Sequence, residues 1–198
     1  MEILDILDVL EQLLEPYTNI VNHVYPKTAA KNYNFCYTVI MELKPKYVSE
    51  SKTEQIQIVL SGDTNGSGRL FGGRLVEWID IVAAVVARRH SGREVTTVSI
   101  DNLHFKAPAY VNDTVVLIGC VTYVGKTSVE VRVDTYAENL RGERNMINRA
   151  YVVLVALDEN EKPTSVPPLI MENEQQKTEW EAGKKRRFLQ ISNKKTTV

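Results

Sequence analysis

Residues 75–86 constrain this chain most. Leu75, Val76, Trp78, Ile79, Ile81, Val82, Ala83, Ala84, Val85 and Val86 cover nearly every face of a helix. A helix that is apolar all round is expected inside a domain, not laid on its surface. Glu77 and Asp80 interrupt the run, and a carboxylate on a buried helix is costly unless it is paired or at work. Arg74, three residues before Glu77 on the same face, offers a structural reading for that acid. Asp80 lies deeper in the apolar run, where that reading fits less well. The helix is expected from about Arg74 to His90. Ser91-Gly92 stops it, and Arg88, Arg89 and His90 fall in a last turn where positive charge suits the dipole.

Around this helix the hydrophobic period is two. Strands are expected at 54–60, 96–105, 115–124, 128–136 and 145–157. In 128–136, Val129, Val131 and Val133 alternate with Glu130, Arg132 and Asp134. The turn-rich stretch 61–68 leads through Leu70-Phe71-Gly72-Gly73 into the helix. Residues 158–168, polar and proline-rich, leave the sheet, and 172–190 read as a helix ending in Lys184, Lys185, Arg186 and Arg187. One strand, one helix and four sequential strands give an α+β domain with a meandering antiparallel sheet; a doubly wound sheet needs more helices.

Upstream, Ile3, Ile6, Leu7, Leu10 and Leu14 recur at helical spacing opposite Asp5, Asp8 and Glu11, and Pro16 ends that segment. The expected organisation is an N-terminal appendage over 1–46, one domain over 47–170, and a C-terminal helix with a basic tail over 171–198.

The chain has 198 residues, with 24 Lys and Arg against 25 Asp and Glu. No global basic field points to nucleic acid. Cys36 and Cys120 have no metal spacing and are expected reduced; no cofactor and no metal are expected. The N-terminus lacks a basic region before an apolar one, so it does not read as a signal peptide. No apolar run approaches the ~20 residues that span a bilayer. A cytoplasmic location with no membrane contact is expected.

The segment from Asp63-Thr64-Asn65-Gly66-Ser67-Gly68 through Phe71-Gly72-Gly73-Arg74 to Trp78-Ile79-Asp80 resembles the acyl-CoA hydrolase branch of the hot-dog thioesterases, the branch of the brain and cytosolic acyl-CoA hydrolases and their short bacterial relatives. Residues 121–138, with Gly125-Lys126-Thr127-Ser128, look like that family's later strand pair, and 150–158 like its last strand. The similarity runs from about Val48 to about Gln190. It implies a curved antiparallel sheet wrapped around a long central helix. It also implies a homodimer sharing one continuous sheet, three of which build a hexamer, and an acyl-CoA substrate hydrolysed to fatty acid and coenzyme A. Many animal relatives carry two such domains in tandem, each supplying half a site; a chain with one domain must use two copies. The resemblance carries catalytic roles onto Asn65 and Asp80. It places the thioester carbonyl at the backbone of Gly72-Gly73, and coenzyme A near Thr96-Thr97-Val98, Lys126-Thr127-Ser128 and Arg187.

The residues suit that chemistry. Glycines opening a helix let backbone approach a substrate closely, and free N–H groups with the dipole favour a developing oxyanion. A tight turn without catalysis fits the same pair. Asp80 fits a general base or a water-orienting group. The Asn65 amide can hold the water or the carbonyl, although Asn-Gly is also a common turn former. Asp80 follows Gly73 by seven residues, about 10 Å along a helix, while a base must sit ~3 Å from the water it activates. Two antiparallel helices from two subunits meet both demands.

His104 reads as a packed strand residue and His90 as a helix-end residue; Lys126 and 184–187 equally fit solvated charges. The rival function is a non-catalytic acyl-CoA sensor on the same fold. A hot-dog hydratase would place a His near the Asp on the helix, which this helix lacks. No Gly-X-Ser-X-Gly elbow supports a serine hydrolase.

Overall fold

The computed structural model describes residues 43–101 and 103–196, with side chains up to residue 190. The expected helix over 1–15, His23 and Cys36 lie outside the described residues. The elements are β1 (Lys46–Tyr47), α1 (Val48–Ser51), β2 (Thr53–Ile58), α2 (Gly72–Ser91), β3 (Glu94–Asp101), β4 (Thr114–Val124), β5 (Ser128–Glu138), β6 (Arg144–Leu157), β7 (Leu169–Ile170) and α3 (Glu174–Thr196). A single 3-10 turn, Ser61–Asp63, precedes the loop into α2. β2, β4, β5, β6 and β3 form one sheet in that order, antiparallel throughout. The sheet curves over α2. β1 and β7, too short to show a sequence period, pair in parallel beside it. β4, β5 and β6 form the expected meander, but β3 lies at the far edge beside β6 and not next to β4, whose other neighbour is β2.

α2 differs from its expectation in one respect. Its buried residues, Leu75, Trp78, Ile79, Val82, Ala83, Val86, Ala87, His90 and Ser91, recur at three- and four-residue intervals, the period of a single face. The sheet covers that face only. Glu77 and Ile81 are exposed, and Val76, Asp80, Ala84 and Val85 are half-buried. The apolar residues on the second face are thus open within one chain. Gly92, at φ +67°, closes the helix by donating its N–H to the Arg88 carbonyl at 2.8 Å, a left-handed position that suits glycine.

The core lies between α2 and the inward-facing Val115, Leu117, Val121, Val129, Val131, Val133, Val152 and Leu154. Gly119 is the inward residue of β4 between Leu117 and Val121. A Cβ there would lie 2.7 Å from Val82 Cγ1 and 2.9 Å from Val86 Cγ2. Its missing side chain lets the helix settle onto the strand.

The outer face of the sheet carries the charged half of the alternation, and α3 covers it. Arg186 donates Nε and Nη2 to the two Glu130 oxygens at 3.0 and 2.8 Å, and its guanidinium stacks on Tyr151 at 3.7 Å. Thr122 Oγ1 adds a hydrogen bond to Glu130 at 2.6 Å. Arg132 pairs with Glu179 at 2.8 Å. Gly183 brings the helix down: a Cβ there would meet Tyr123 Cβ at 2.7 Å and Glu130 Oε1 at 2.8 Å. One member of the basic cluster, Arg186, is thereby a structural residue.

One histidine reading changes, that of His104; His90 is the helix-end residue expected, in the last turn of α2. β3 ends at Asp101, and His104 is exposed in the following loop, its carbonyl accepting from Asn148 Nδ2 at 3.0 Å. The ladder to β6 ends at Asp101, and the loop meets β6 again where Lys106 N–H donates to the Ile147 carbonyl at 2.8 Å. His90 is fully buried, with Nε2 2.9 Å from the Pro167 carbonyl. Loss of hydration pushes its pKa below the usual 6.5, against the opposing pull of that carbonyl.

Gly119→Ala is expected to cost about 1–3 kcal/mol by overpacking against Val82 and Val86, read as a lower urea midpoint at unchanged slope. A second expectation concerns pH. His90 binds a proton less readily folded than unfolded, so its contribution is fully present above pH 6.5 and is lost as pH falls below it. The fall in unfolding free energy from pH 7 to 5 should be smaller in His90→Gln; equal slopes in both proteins would refute this account.

Candidate functional site

The loop before α2 is built on Asn65. Its Oδ1 accepts the N–H groups of Ser67 at 2.9 Å and Arg69 at 3.3 Å, while its own N–H reaches the Arg69 carbonyl at 2.8 Å. Gly68, at φ +69°, completes the turn with its N–H on the Asn65 carbonyl at 2.9 Å. The turn reading of Asn65 is therefore realised for its oxygen. The Nδ2 amine is the end that the turn does not use.

Arg74 ties this loop to the helix. Its Nε lies 3.1 Å from Asp63 Oδ1 and its Nη1 2.6 Å from Glu77 Oε2. Glu77 is thus the ion-paired, exposed acid. Asp63 also takes the Leu60 N–H on Oδ2 at 3.0 Å and the Phe71 N–H on its carbonyl at 2.8 Å. The first helical acceptor, the Phe71 carbonyl, takes the Leu75 N–H at 3.1 Å, so the amides of Gly72 and Gly73 precede the helical ladder and have no acceptor within it. A side chain at either glycine would press on an aromatic ring. A Cβ at Gly73 would meet the Phe71 ring at 2.6 Å, and one at Gly72 the Phe105 ring at 3.3 Å. Asn65 and Gly72 line one cleft of about 380 Å³, together with Leu70, Leu75, Phe105 and Ile147.

Asp80 is not in that cleft. It sits about two turns along α2, half-buried, with Oδ1 accepting the Thr97 hydroxyl at 2.7 Å. Sequence reasoning placed Thr97 near coenzyme A and missed this bond. The two residues lie seventeen positions apart, on a helix and a strand, and no local pattern links them. A β-bulge between Thr97 and Ser99 leaves Val98 outside the ladder to β6, exposed on the edge strand beside exposed Thr96.

The remaining expected contacts lie at the other end of α2. The Lys126 carbonyl takes the Val166 N–H at 3.1 Å, and next to Val166 the Pro167 carbonyl meets His90. The turn at 125–128 therefore adjoins the C-terminal end of α2, about 27 Å along the helix from Gly72. Lys126 is exposed, Thr127 half-buried, and Ser128 buried beneath the turn. Arg187 is half-buried on α3 and forms no ion pair among the described residues. No cluster of metal-binding residues occurs among the described residues, and no helix there is long and apolar enough to cross a membrane. One chain thus brings Asn65 to Gly72 and Asp80 to Thr97, and keeps the two pairs apart.

Residues 67–143 match the model of the thioesterase superfamily. The chain is 39% identical over 132 residues to the uncharacterized acyl-CoA thioester hydrolase YkhA of Bacillus subtilis, covering 66% of this chain and 77% of that protein. It resembles the crystal structure of an apo-hexameric acyl-CoA thioesterase at 37% identity and a TM-score of 0.72, over 75% of this chain and 96% of that one. It also resembles an acyl-CoA hydrolase of Staphylococcus aureus in complex with butyryl coenzyme A, coenzyme A and coenzyme A disulfide, at 31% identity and a TM-score of 0.70, over 77% and 96%. That enzyme has further structures with one asparagine, one aspartate or one threonine replaced by alanine; in chain order the three lie fifteen and seventeen positions apart.

Proposed function

The chain belongs to the thioesterase superfamily as an acyl-CoA thioester hydrolase, and from that premise we propose that its reaction centre is composite, with Asn65 and the glycine turn from one subunit and Asp80 with Thr97 from its partner. One observation carries the assignment of residues. Asn65, Asp80 and Thr97 are separated by fifteen and seventeen positions, the spacing of the three residues replaced in the Staphylococcus aureus enzyme.

The geometry supports the division between subunits. The Gly72 and Gly73 amides and Asp80 face different places in one chain, and the Lys126 turn adjoins the far end of α2. Two antiparallel copies of α2, offset so that their N-terminal halves lie side by side, bring the glycine turn of one helix beside Asp80 of the other. The exposed Ile81, 46% accessible, and Val98, 47%, supply apolar surface for that contact, and the open edge of β3 supplies backbone groups. Three such dimers form the hexamer, the assembly of the similar apo-hexameric enzyme.

In this site the thioester carbonyl accepts from the glycine amides and Asn65 Nδ2. The partner's carboxylate at position 80, held by the Thr97 hydroxyl, takes a proton from water as the water oxygen attacks the carbonyl carbon. The oxyanion then reforms the carbonyl, the C–S bond breaks, and the coenzyme A thiolate takes up the proton that the carboxylate had accepted, leaving the free fatty acid and restoring the base. Thr96, Val98, Thr127 and Lys126 border the coenzyme A, with Arg187 near its phosphates. Ser128 serves through its buried place under the turn. A sensor would bind the same ligand and release no thiol.

Thr97→Val should lower kcat by about tenfold or more, the scale of one hydrogen bond to a charged group, with a smaller change in KM; unchanged kcat removes Thr97 from the site. The composite site has its own test. Homo-oligomers of Asn65→Ala and of Asp80→Ala should each be impaired, by about 100-fold for Asp80→Ala. Refolded together in equal amounts, half of the dimers are mixed, and each mixed dimer holds one intact site, so roughly a quarter of wild-type thiol release should return. A mixture that stays at the mean of its parents, with subunit exchange verified by mass spectrometry, excludes the arrangement.

A further inference from the structure

Asp63 stands two residues before Asn65, and it alone links three parts of the structure around the glycine turn. Its carbonyl accepts the Phe71 N–H at 2.8 Å, closing the base of the loop directly before Gly72. Its Oδ2 accepts the Leu60 N–H at 3.0 Å, on the chain arriving from β2. Its Oδ1 meets Arg74 Nε at 3.1 Å, in the first turn of α2, and 16% of its side chain is accessible.

The loop between Asp63 and Phe71 is closed on itself. Asn65 bonds Arg69 and Gly68 through its backbone, and Thr64 forms an antiparallel bridge with Leu70. A turn closed in this way keeps its own shape, so its bearing on the helix is set by what ties it down. One tie, the Leu70 N–H on the Ala109 carbonyl at 2.8 Å, runs away from α2 to the cleft wall. The tie to α2 is the Asp63–Arg74 pair: among the described residues, no other side chain of the helix forms a hydrogen bond or ion pair with residues 60–71. Helix stability alone does not call for an arginine there. The first turn of α2 holds no acid, and a cation at that end opposes the dipole. The planar guanidinium instead serves Asp63 and Glu77 from different nitrogens. An oxyanion needs its donors within about 3 Å of one point, so the bearing of the loop on the helix decides whether Asn65 Nδ2 and the glycine amides converge.

We infer that Asp63 is a positioning residue of the hydrolase: paired with Arg74, its carboxylate fixes the Asn65 amide relative to the amides of Gly72 and Gly73. This rests on the thioesterase reading and deepens it. The Asp63 side chain touches no reacting atom. It acts through Asn65, because the glycine amides are fixed by the helix they open, and the bond to Phe71 is made by backbone and remains available in any variant at 63.

The test measures thiol release from butyryl-CoA by the full-length wild type, Asp63→Asn, Asn65→Ala and the double variant. Asp63→Asn should lower kcat roughly tenfold, within the scale on which small misplacements of a reacting group act, and leave KM within about twofold. In the Asn65→Ala background the same substitution should change kcat by less than about twofold, because the group it positions is gone. An acid with a merely structural role would lower kcat equally in both backgrounds. That result, or wild-type kcat in Asp63→Asn, overturns the inference and leaves the hydrolase intact. Arg74→Gln breaks the same pair from the helix side, keeps the Leu60 bond, and decides the matter if Asp63→Asn does not fold. A wild type that releases no thiol, or an Asn65→Ala enzyme with undiminished kcat, overturns the site itself, and this inference with it.

Discussion

The contact between α2 and β4 at Gly119 is the constraint on which the rest depends. A helix normally packs against a sheet through side chains on both surfaces. Here β4 offers only backbone at Gly119, and Val82 and Val86 fill the space. The close approach fixes the depth of α2 beneath the curved sheet. That depth sets where the helix presents Asp80 to Thr97 on β3, and where its first turn meets Phe105. The site residues are therefore held by the stiffest part of the molecule, although Asn65 itself stands on a loop. Arg74 carries the rigidity outward by pinning Asp63 to the first turn of the helix.

The outer face follows a different logic. Glu130 and Asp134 are almost fully buried, which an isolated carboxylate does not tolerate. Each has a guanidinium in contact: Arg186 on Glu130, and Arg149 with Arg132 on Asp134. Such pairs contribute little net stability compared with an apolar packing of the same shape, but they fail badly when one partner is removed. They also specify register. An α3 shifted by one residue would leave Glu130 without its fork of two hydrogen bonds.

Much of this was legible in the sequence, and the parts that were not share a cause. Periodicity placed the central helix and the sheet strands because each is long enough to show its period. β1 and β7, two residues each, show none. The apolar character of α2 was plain, yet its direction was not. Val76, Ile81 and Val85 look the same in a sequence whether they meet their own sheet or stand open, and only the structure shows that one face is uncovered. The Arg74–Glu77 pair was readable at helical spacing. The Asp80–Thr97 bond was not, since it depends on how β3 crosses α2. The basic run at 184–187 read as a uniform patch, but Arg186 faces the sheet while Lys184 and Lys185 face outward, a distinction set by helical phase against a surface that must already exist. His104 was misplaced because the strand stops at Asp101, short of the apolar residues that extended its pattern to Phe105 in the sequence.

The covering of the charged face by α3 bears on the order in which the chain acquires its structure during synthesis. Every strand and α2 leave the ribosome before the segment that contains Glu179 and Arg186. Until that segment emerges, the sheet can gather its apolar side around α2 while Glu130 remains in water, hydrated and unpaired. The surface awaiting its cover is then mixed, with Glu130, Arg132 and Asp134 standing among Ile118, Tyr151 and Val153. A sheet whose pending face was apolar would expose a sticky surface over the same interval. The acids thus keep part of that face hydrated until the docking of the C-terminal helix converts Glu130 into a latch through Arg186.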